Sequence, residues 1–167
     1  MVDGRAGSTD AVSRPSISCR TSHEYTMTPS TDLTTYELTG ERVSPKRMRI
    51  DTGDAEFVVG HDVNPVEYFL GAVIGCLNST GTMVAREMDL AIDEMTVAIE
   101  GGVDYASYRG DPSDARPGLQ TLEVSLSLDT DADDDTVAKW LAAVDARCPV
   151  TDNVENETPL ELSVESV

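Results

Sequence analysis

The stretch Asn64–Met88, NPVEYFLGAVIGCLNSTGTMVAREM, constrains this chain more than any other, because it is the least polar run and carries a cysteine at its middle. Asn64 is suited to accept hydrogen bonds from the first free backbone donors of a helix, and Pro65 at the first helical position gives up an N–H that has no partner there. Glu67 follows three residues after the cap. That is the spacing of a capping box, so its carboxylate reads first as part of the helix start. Phe69, Ala72, Val73, Cys76, Leu77 and Thr80 recur at intervals of three and four, which puts Cys76 on the core-facing stripe of a central helix. Interior helix glycines cost roughly 1 kcal/mol each relative to alanine, so Gly71 and Gly75, one turn apart, read as room for another backbone to approach.

The remaining composition bounds the class of protein. At 167 residues the chain fits one domain with a real core. The longest apolar run, Tyr68–Leu77, is about half the ~20 residues needed to span a bilayer, and the N-terminus has no apolar h-region. The expected protein is cytoplasmic, with no membrane association. Acidic residues outnumber basic ones 31 to 12, and Lys46 and Lys139 are the only lysines. So anionic a surface, without a basic stripe, repels phosphate backbones, and nucleic acid is excluded as a partner. The same bias resembles surfaces adapted to a salt-rich cytosol. Cys19, Cys76 and Cys148 are too few for a disulfide scaffold, and no CxxC, HxxxH or HExxH is present, so no metal site is expected.

Along the chain, residues 1–22 mix Gly, Ser, Arg, Asp and Pro without period and read as a disordered tail, leaving residues 23–167 as the folded domain. HEYTMT, DLTTYELTGERV, KRMRID and AEFVV read as strands separated by Pro29, Ser44-Pro45 and Thr52-Gly53-Asp54. After the central helix, Asp89–Glu94 is a linker and MTVAIEGGVDY a strand. Residues 106–118 form a long hairpin loop, and LQTLEVSLSLD returns with Leu122, Val124, Leu126 and Leu128 on one face. Asp131–Asp135 opens a second helix whose stripe is Val137, Trp140, Leu141 and Val144. Cys148-Pro149 marks where that helix stops or kinks, and Pro159–Val164 reads as a closing strand. The predicted fold class is α+β.

Cys76 and Cys148 are the candidates for covalent chemistry. A cysteine on an apolar stripe is by default a small inert hydrophobe, and it becomes a nucleophile only where a cation or helix N-terminus favours its thiolate. Two thiols brought together by a fold can instead form a sulfenic acid and resolve it to a disulfide. NPVEYFLGAVIGC, followed well downstream by RCPV, is similar to the two-cysteine signature of the OsmC/Ohr superfamily. The resemblance extends over residues 30–167, including the strand pattern, the PGLQ strand start and the Cys-Pro after the second helix.

The resemblance implies an intertwined homodimer with antiparallel sheets around central helices, and a thiol peroxidase that reduces organic hydroperoxides. It implies Cys76 as the peroxidatic cysteine and Cys148 as the resolving one, regenerated by a dithiol reductant without metal, flavin or haem. An arginine from the strands before the central helix holds the thiolate in the family. Arg47 is the closest positional match, with Arg49 and Arg42 as rivals. The family's acid directly follows Asn-Pro, where this chain has Val66; Glu67 comes one residue, about 100° of helix rotation, later. That departure points to the broader OsmC-like subgroup. It leaves Glu67 either catalytic or only a cap, and keeps open a redox-sensing or apolar-ligand-binding dimer and a merely structural domain.

Overall fold

A computed structural model describes residues 33–165, and residues Thr34–Glu157 form one compact unit. It opens with three short antiparallel strands, β1 (Thr39–Ser44), β2 (Arg47–Asp51) and β3 (Glu56–Val59), paired in the order β1-β2-β3. The helix α1 (Pro65–Glu87) follows. Strands β4 (Glu94–Val103) and β5 (Leu119–Asp129) then form a long two-stranded antiparallel ribbon, and α3 (Asp134–Asp145) and α4 (Pro149–Glu155) close the unit. A four-residue helix, α2 (Ala106–Arg109), lies inside the segment expected to be only loop.

The start of α1 has the chemistry its sequence dictates. The Asn64 side chain accepts from the N–H groups of Val66 and Glu67 at 2.9 and 3.0 Å, and the Glu67 carboxylate accepts the Asn64 N–H at 2.7 Å. Just before it, Gly60 turns the chain out of β3 with φ +84°, and a Cβ there would sit 1.9 Å from the Lys46 carbonyl oxygen. Only glycine fits that crossing, which sets the β1–β2 hairpin beside the entry to α1. Tyr68 adds a second tie, its ring 5.7 Å from that of Phe57 and its hydroxyl donating to the Val58 carbonyl at 3.2 Å.

The core is a layer of α1 against α3, α4 and the β4–β5 ribbon. Val73, Leu77, Val84 and Ala85 of α1 meet Trp140, Val144 and Cys148, with Met95, Val97 and Ile99 of β4 and Val124, Leu126 and Leu128 of β5 packed around them. Leu122, Val124, Leu126 and Leu128, the β5 positions that alternation assigns to one face, are half-buried, and Leu119 at the strand start is half-buried as well. By length and composition α1 could cross a membrane, and about a third of its most apolar window is buried by this packing. Trp140 decides how closely α3 approaches. Its Nε1–H donates to the Gly81 carbonyl at 3.0 Å, and a Cβ on Gly81 would lie 2.8 Å from the indole Cζ2.

Several expectations are corrected. The buried stripe of α1 runs through Val73, Leu77, Thr80, Gly81, Val84 and Ala85. Phe69 and Ala72 are exposed and Cys76 lies at the stripe's edge. Leu141 is exposed in α3, because β5 and α4 leave an open cleft beside it. A Cβ on Gly71 or Gly75 meets nothing within 4 Å, so neither glycine admits a neighbour within this chain. Among the described residues regular structure begins at Thr39, and Leu33–Leu38 forms no strand. The second helix does end before Cys148-Pro149, but Pro149 then begins α4, a helix the sequence reading lacked, because a proline suits a first helical position as well as it ends a helix. The expected strand Pro159–Val164 forms no ladder among the described residues, and its Leu160, Leu162 and Val164 are exposed; alternation supplies two faces but no edge to pair with. These residues fall in a second unit. The 1–22 tail, Cys19, the HEYTMT segment and the start of the 23–167 domain lie outside the described residues.

Gly81→Val is expected to lose about 1–3 kcal/mol of unfolding free energy, because the indole must move to admit the side chain. Urea unfolding followed by Trp140 fluorescence measures it; wild-type stability with an unshifted emission maximum contradicts the close seat described here.

Candidate functional site

Cys76 and Cys148, distant in sequence, are brought together by the α3–α4 junction folding back onto α1. Both are free thiols. Cys76 is partly covered, one helical turn below Val73 and one above Thr80, whose Oγ1 is 4.0 Å from its sulfur. Cys148 is 1% exposed and occupies the position before Pro149, at the cap of α4. The Thr151 hydroxyl, 3.1 Å from the Cys148 carbonyl to which it donates, also faces the Cys148 sulfur.

The two sulfurs are inequivalent. Burial pushes the Cys76 pKa above the ordinary thiol value, as do the hydrogen bond it gives to Cys148 and the nearness of that group's charge; the Val150 N–H and Thr80 only partly offset this. Burial also opposes ionisation of Cys148. Hydrogen bonds from the Thr151 hydroxyl and N–H, from Cys76 and from the Val150 N–H outweigh it, and the Cys148 pKa lies below the ordinary value. Within one chain, then, the pair loses its first proton from Cys148, and the Cys76 proton bridges toward the resulting anion.

The other candidate residues stand apart from the thiols. Glu67 is engaged in the α1 capping box, nine residues before Cys76, which along a helix is about 14 Å. Arg47 is exposed at the start of β2 and makes no ion pair among the described residues. Arg49 reaches Glu41 at 3.7 Å, and Arg42 lies on β1 opposite Met48. No guanidinium is among the groups that set the titration of Cys76. Among the described residues, no cluster of His, Cys, Asp and Glu is arranged to hold a metal ion.

Sequence reasoning missed Thr80, Thr151 and the Val150 N–H. Thr80 was placed on the helix stripe but not beside the sulfur, although its position four residues after Cys76 carries that signal. Thr151 belongs to a helix turn that was not foreseen. Two apolar clefts flank α4 but contain neither sulfur. One, of about 670 Å³, is walled by Val66, Phe69, Tyr105, Tyr108, Arg116 and Val154; the other, of about 650 Å³, lies between Leu77, β5 and α3.

Residues 58–163 match the family model described as OsmC-like protein. The chain belongs to the OsmC-like family. Its fold is similar to that of an OsmC-like protein from Mycoplasma pneumoniae, with a TM-score of 0.66, 14% identity and coverage of 74% of this chain and 89% of that one. A hypothetical protein from Aquifex aeolicus gives 0.62 at 14% identity, covering 77% and 93%. The organic hydroperoxide resistance protein OhrB of Bacillus subtilis gives 0.51 at 18% identity, covering 80% and 100%. At these identities the likeness is one of fold. No curated protein matches the chain.

The thiol pairing predicts opposite shifts on deletion. In a Cys19→Ser background, Cys148→Ala removes two contributions that hold the Cys76 proton, so Cys76 should ionise at lower pH. Cys76→Ala removes a donor to Cys148, which should then ionise at higher pH. Thiolate ultraviolet absorbance against pH reads both, and shifts of the reverse sign contradict the proton sharing.

Proposed function

We propose that this protein is a thiol-dependent peroxidase that reduces organic hydroperoxides in a cytoplasmic response to peroxide stress, using Cys76 and Cys148 in turn. The observation that carries this reading is the direct interaction of two free thiols from distant parts of the chain. Family membership and the name of the Bacillus subtilis protein support the substrate class.

In the proposed cycle the Cys76 thiolate attacks the outer oxygen of the hydroperoxide. An S–O bond forms, the O–O bond breaks, and the departing alkoxide takes a proton to become the alcohol. The Cys148 thiolate then attacks the Cys76 sulfur, and hydroxide leaves with a proton as water, giving the Cys76–Cys148 disulfide. A dithiol reductant returns two electrons and two protons. The depressed pKa of Cys148 suits the second step, since it is a thiolate that must attack. The raised pKa of Cys76 makes the first step dependent on a cation, and none of the described residues of one chain brings one near.

A homodimer answers that need. Tyr36, Leu38, Met48, Phe57 and Phe69 are exposed on one chain, and both faces of the β1–β3 sheet are largely open. Covering these surfaces with a second copy, intertwined as the family resemblance implies, would bring the partner's Arg47 toward Cys76, with Arg49 and Arg42 as the alternatives. Glu67 then serves as the cap, and its carboxylate reaches the reaction only through the partner's arginine. The two apolar clefts favour a second reading, an apolar-ligand-binding or redox-sensing dimer that oxidises once without turnover.

Cys76→Ser should abolish consumption of cumene hydroperoxide in the presence of dithiothreitol, whereas Cys148→Ser should complete one turnover and accumulate sulfenic or sulfinic acid, seen by mass. Undiminished turnover in Cys76→Ser rejects the mechanism, and the reverse pattern exchanges the two roles. Oxidation of the wild type with no turnover selects the sensing alternative. The Gly71→Ala/Gly75→Ala double variant gains about 1 kcal/mol per site if those positions stay open. Should helices of two copies cross there, it weakens the dimer instead. Sedimentation velocity decides between them.

A further inference from the structure

Arg147 and Cys148 are the whole of the joint between the α3 cap at Ala146 and the first residue of α4. The Arg147 N–H donates back to the Val144 carbonyl at 3.2 Å, and the Cys148 carbonyl accepts from the Asp152 N–H at 3.1 Å, so each helix holds one residue of the joint. Their side chains then part. Cys148 turns into the core beside Cys76. Arg147 reaches along α1 to its last turn, where Nη1 and Nη2 fork onto the two oxygens of Glu87 at 2.5 and 3.0 Å, with Nη2 also 3.7 Å from the Met83 sulfur.

The places where these neighbours land are related. Cys76, Thr80, Met83 and Glu87 succeed one another at spacings of four, three and four, which makes them successive rungs of one face of α1. That face is about 16 Å long from Cys76 to Glu87. The two-residue joint therefore grips it twice, by a sulfur near the middle of the helix and by a guanidinium at its end. A planar fork on a carboxylate fixes direction as well as distance.

We propose that the Arg147–Glu87 pair is a positioning device that holds Cys148 in register with Cys76 for disulfide formation. This rests on the two-thiol reading of the site. A disulfide tolerates only a narrow window of backbone separation, and α4, at seven residues, is too short to hold the Cys148 cap that precedes it rigidly. Arg147 also keeps the Glu87 carboxyl below the usual carboxylate range by its hydrogen bond, so the grip is retained above that range and released as the carboxyl protonates in acid. Concentrated salt loosens it as well, since both partners are solvent-exposed.

The test uses Arg147→Met, Arg147→Lys, Glu87→Gln and the exchanged double variant Glu87→Arg/Arg147→Glu, in the full chain with Cys19→Ser. Two readouts need no peroxide chemistry. In the reduced protein, alkylation of Cys148 by iodoacetamide, located by mass, should rise at least five-fold in Arg147→Met and Glu87→Gln while Cys76 labelling changes little. Disulfide formation driven by diamide should slow at least five-fold in the same variants. Arg147→Lys should fall between, and the exchanged pair should recover most of the wild-type rate. After one equivalent of cumene hydroperoxide, the Cys76 sulfenic acid should persist correspondingly longer. Wild-type alkylation and diamide rates in Arg147→Met, with unchanged circular dichroism, overturn the proposal. So does equal loss in the exchanged variant with its fold intact. If diamide and alkylation respond but no variant, nor the wild type, consumes hydroperoxide, the positioning stands and the peroxidase reading falls.

Discussion

The seat of the Trp140 indole on Gly81 is the contact on which the meeting of Cys76 and Cys148 depends. It presses α3 against α1 at a position where α1 has no side chain, and donates a hydrogen bond into a helix carbonyl that would otherwise face only its own ladder. Everything after α3 inherits its placement from that contact. With Val144 and Cys148 following at one-turn intervals into the same core, the end of α3 arrives at the middle of α1, and the chain has two residues in which to reverse. The chemistry of the pair is thus a consequence of packing first and of electrostatics second.

Electrostatics then divides the labour between two identical functional groups. Cys76 sits on a continuous helix, where the backbone N–H groups are already committed to the ladder, so it finds little to stabilise a charge. Cys148 stands at a break between helices, where the first N–H groups of α4 and a threonine hydroxyl are available to it. One residue type in two backbone contexts gives one thiol that holds its proton more tightly and one that yields it more readily. That asymmetry needs no charged neighbour, and it is already present before a second chain is added.

Much of this was legible in the residues. Asn64, Pro65 and Glu67 spelled a helix start whose every hydrogen bond is present, and period-two alternation marked β4 as a strand and named the half-buried face of β5. The exposure of Phe69, Ala72 and Leu141 was not legible, because periodicity reports which residues share a face and not whether the same chain covers it. Pro149 was ambiguous for a similar reason: a proline looks the same whether it ends one helix or begins the next. The arginine was the least legible, since sequence order places Arg42, Arg47 and Arg49 on one hairpin and only tertiary or quaternary contact selects among them. The Arg147–Glu87 pair left no local signal, its partners meeting only through the fold.

The brevity of the Arg147–Cys148 joint has a corollary for insertions. Elsewhere the backbone can lengthen at small cost, as in the exposed turn between Gly110 and Gly118, where loop entropy grows only slowly with added residues. Between the two gripping side chains there is no slack to absorb an insertion: one added residue would swing the sulfur and the guanidinium to different sides of the helix they share. An added residue in the exposed turn would disturb neither contact, whereas one added inside this dipeptide would separate them, so the length of the joint matters as much as either side chain.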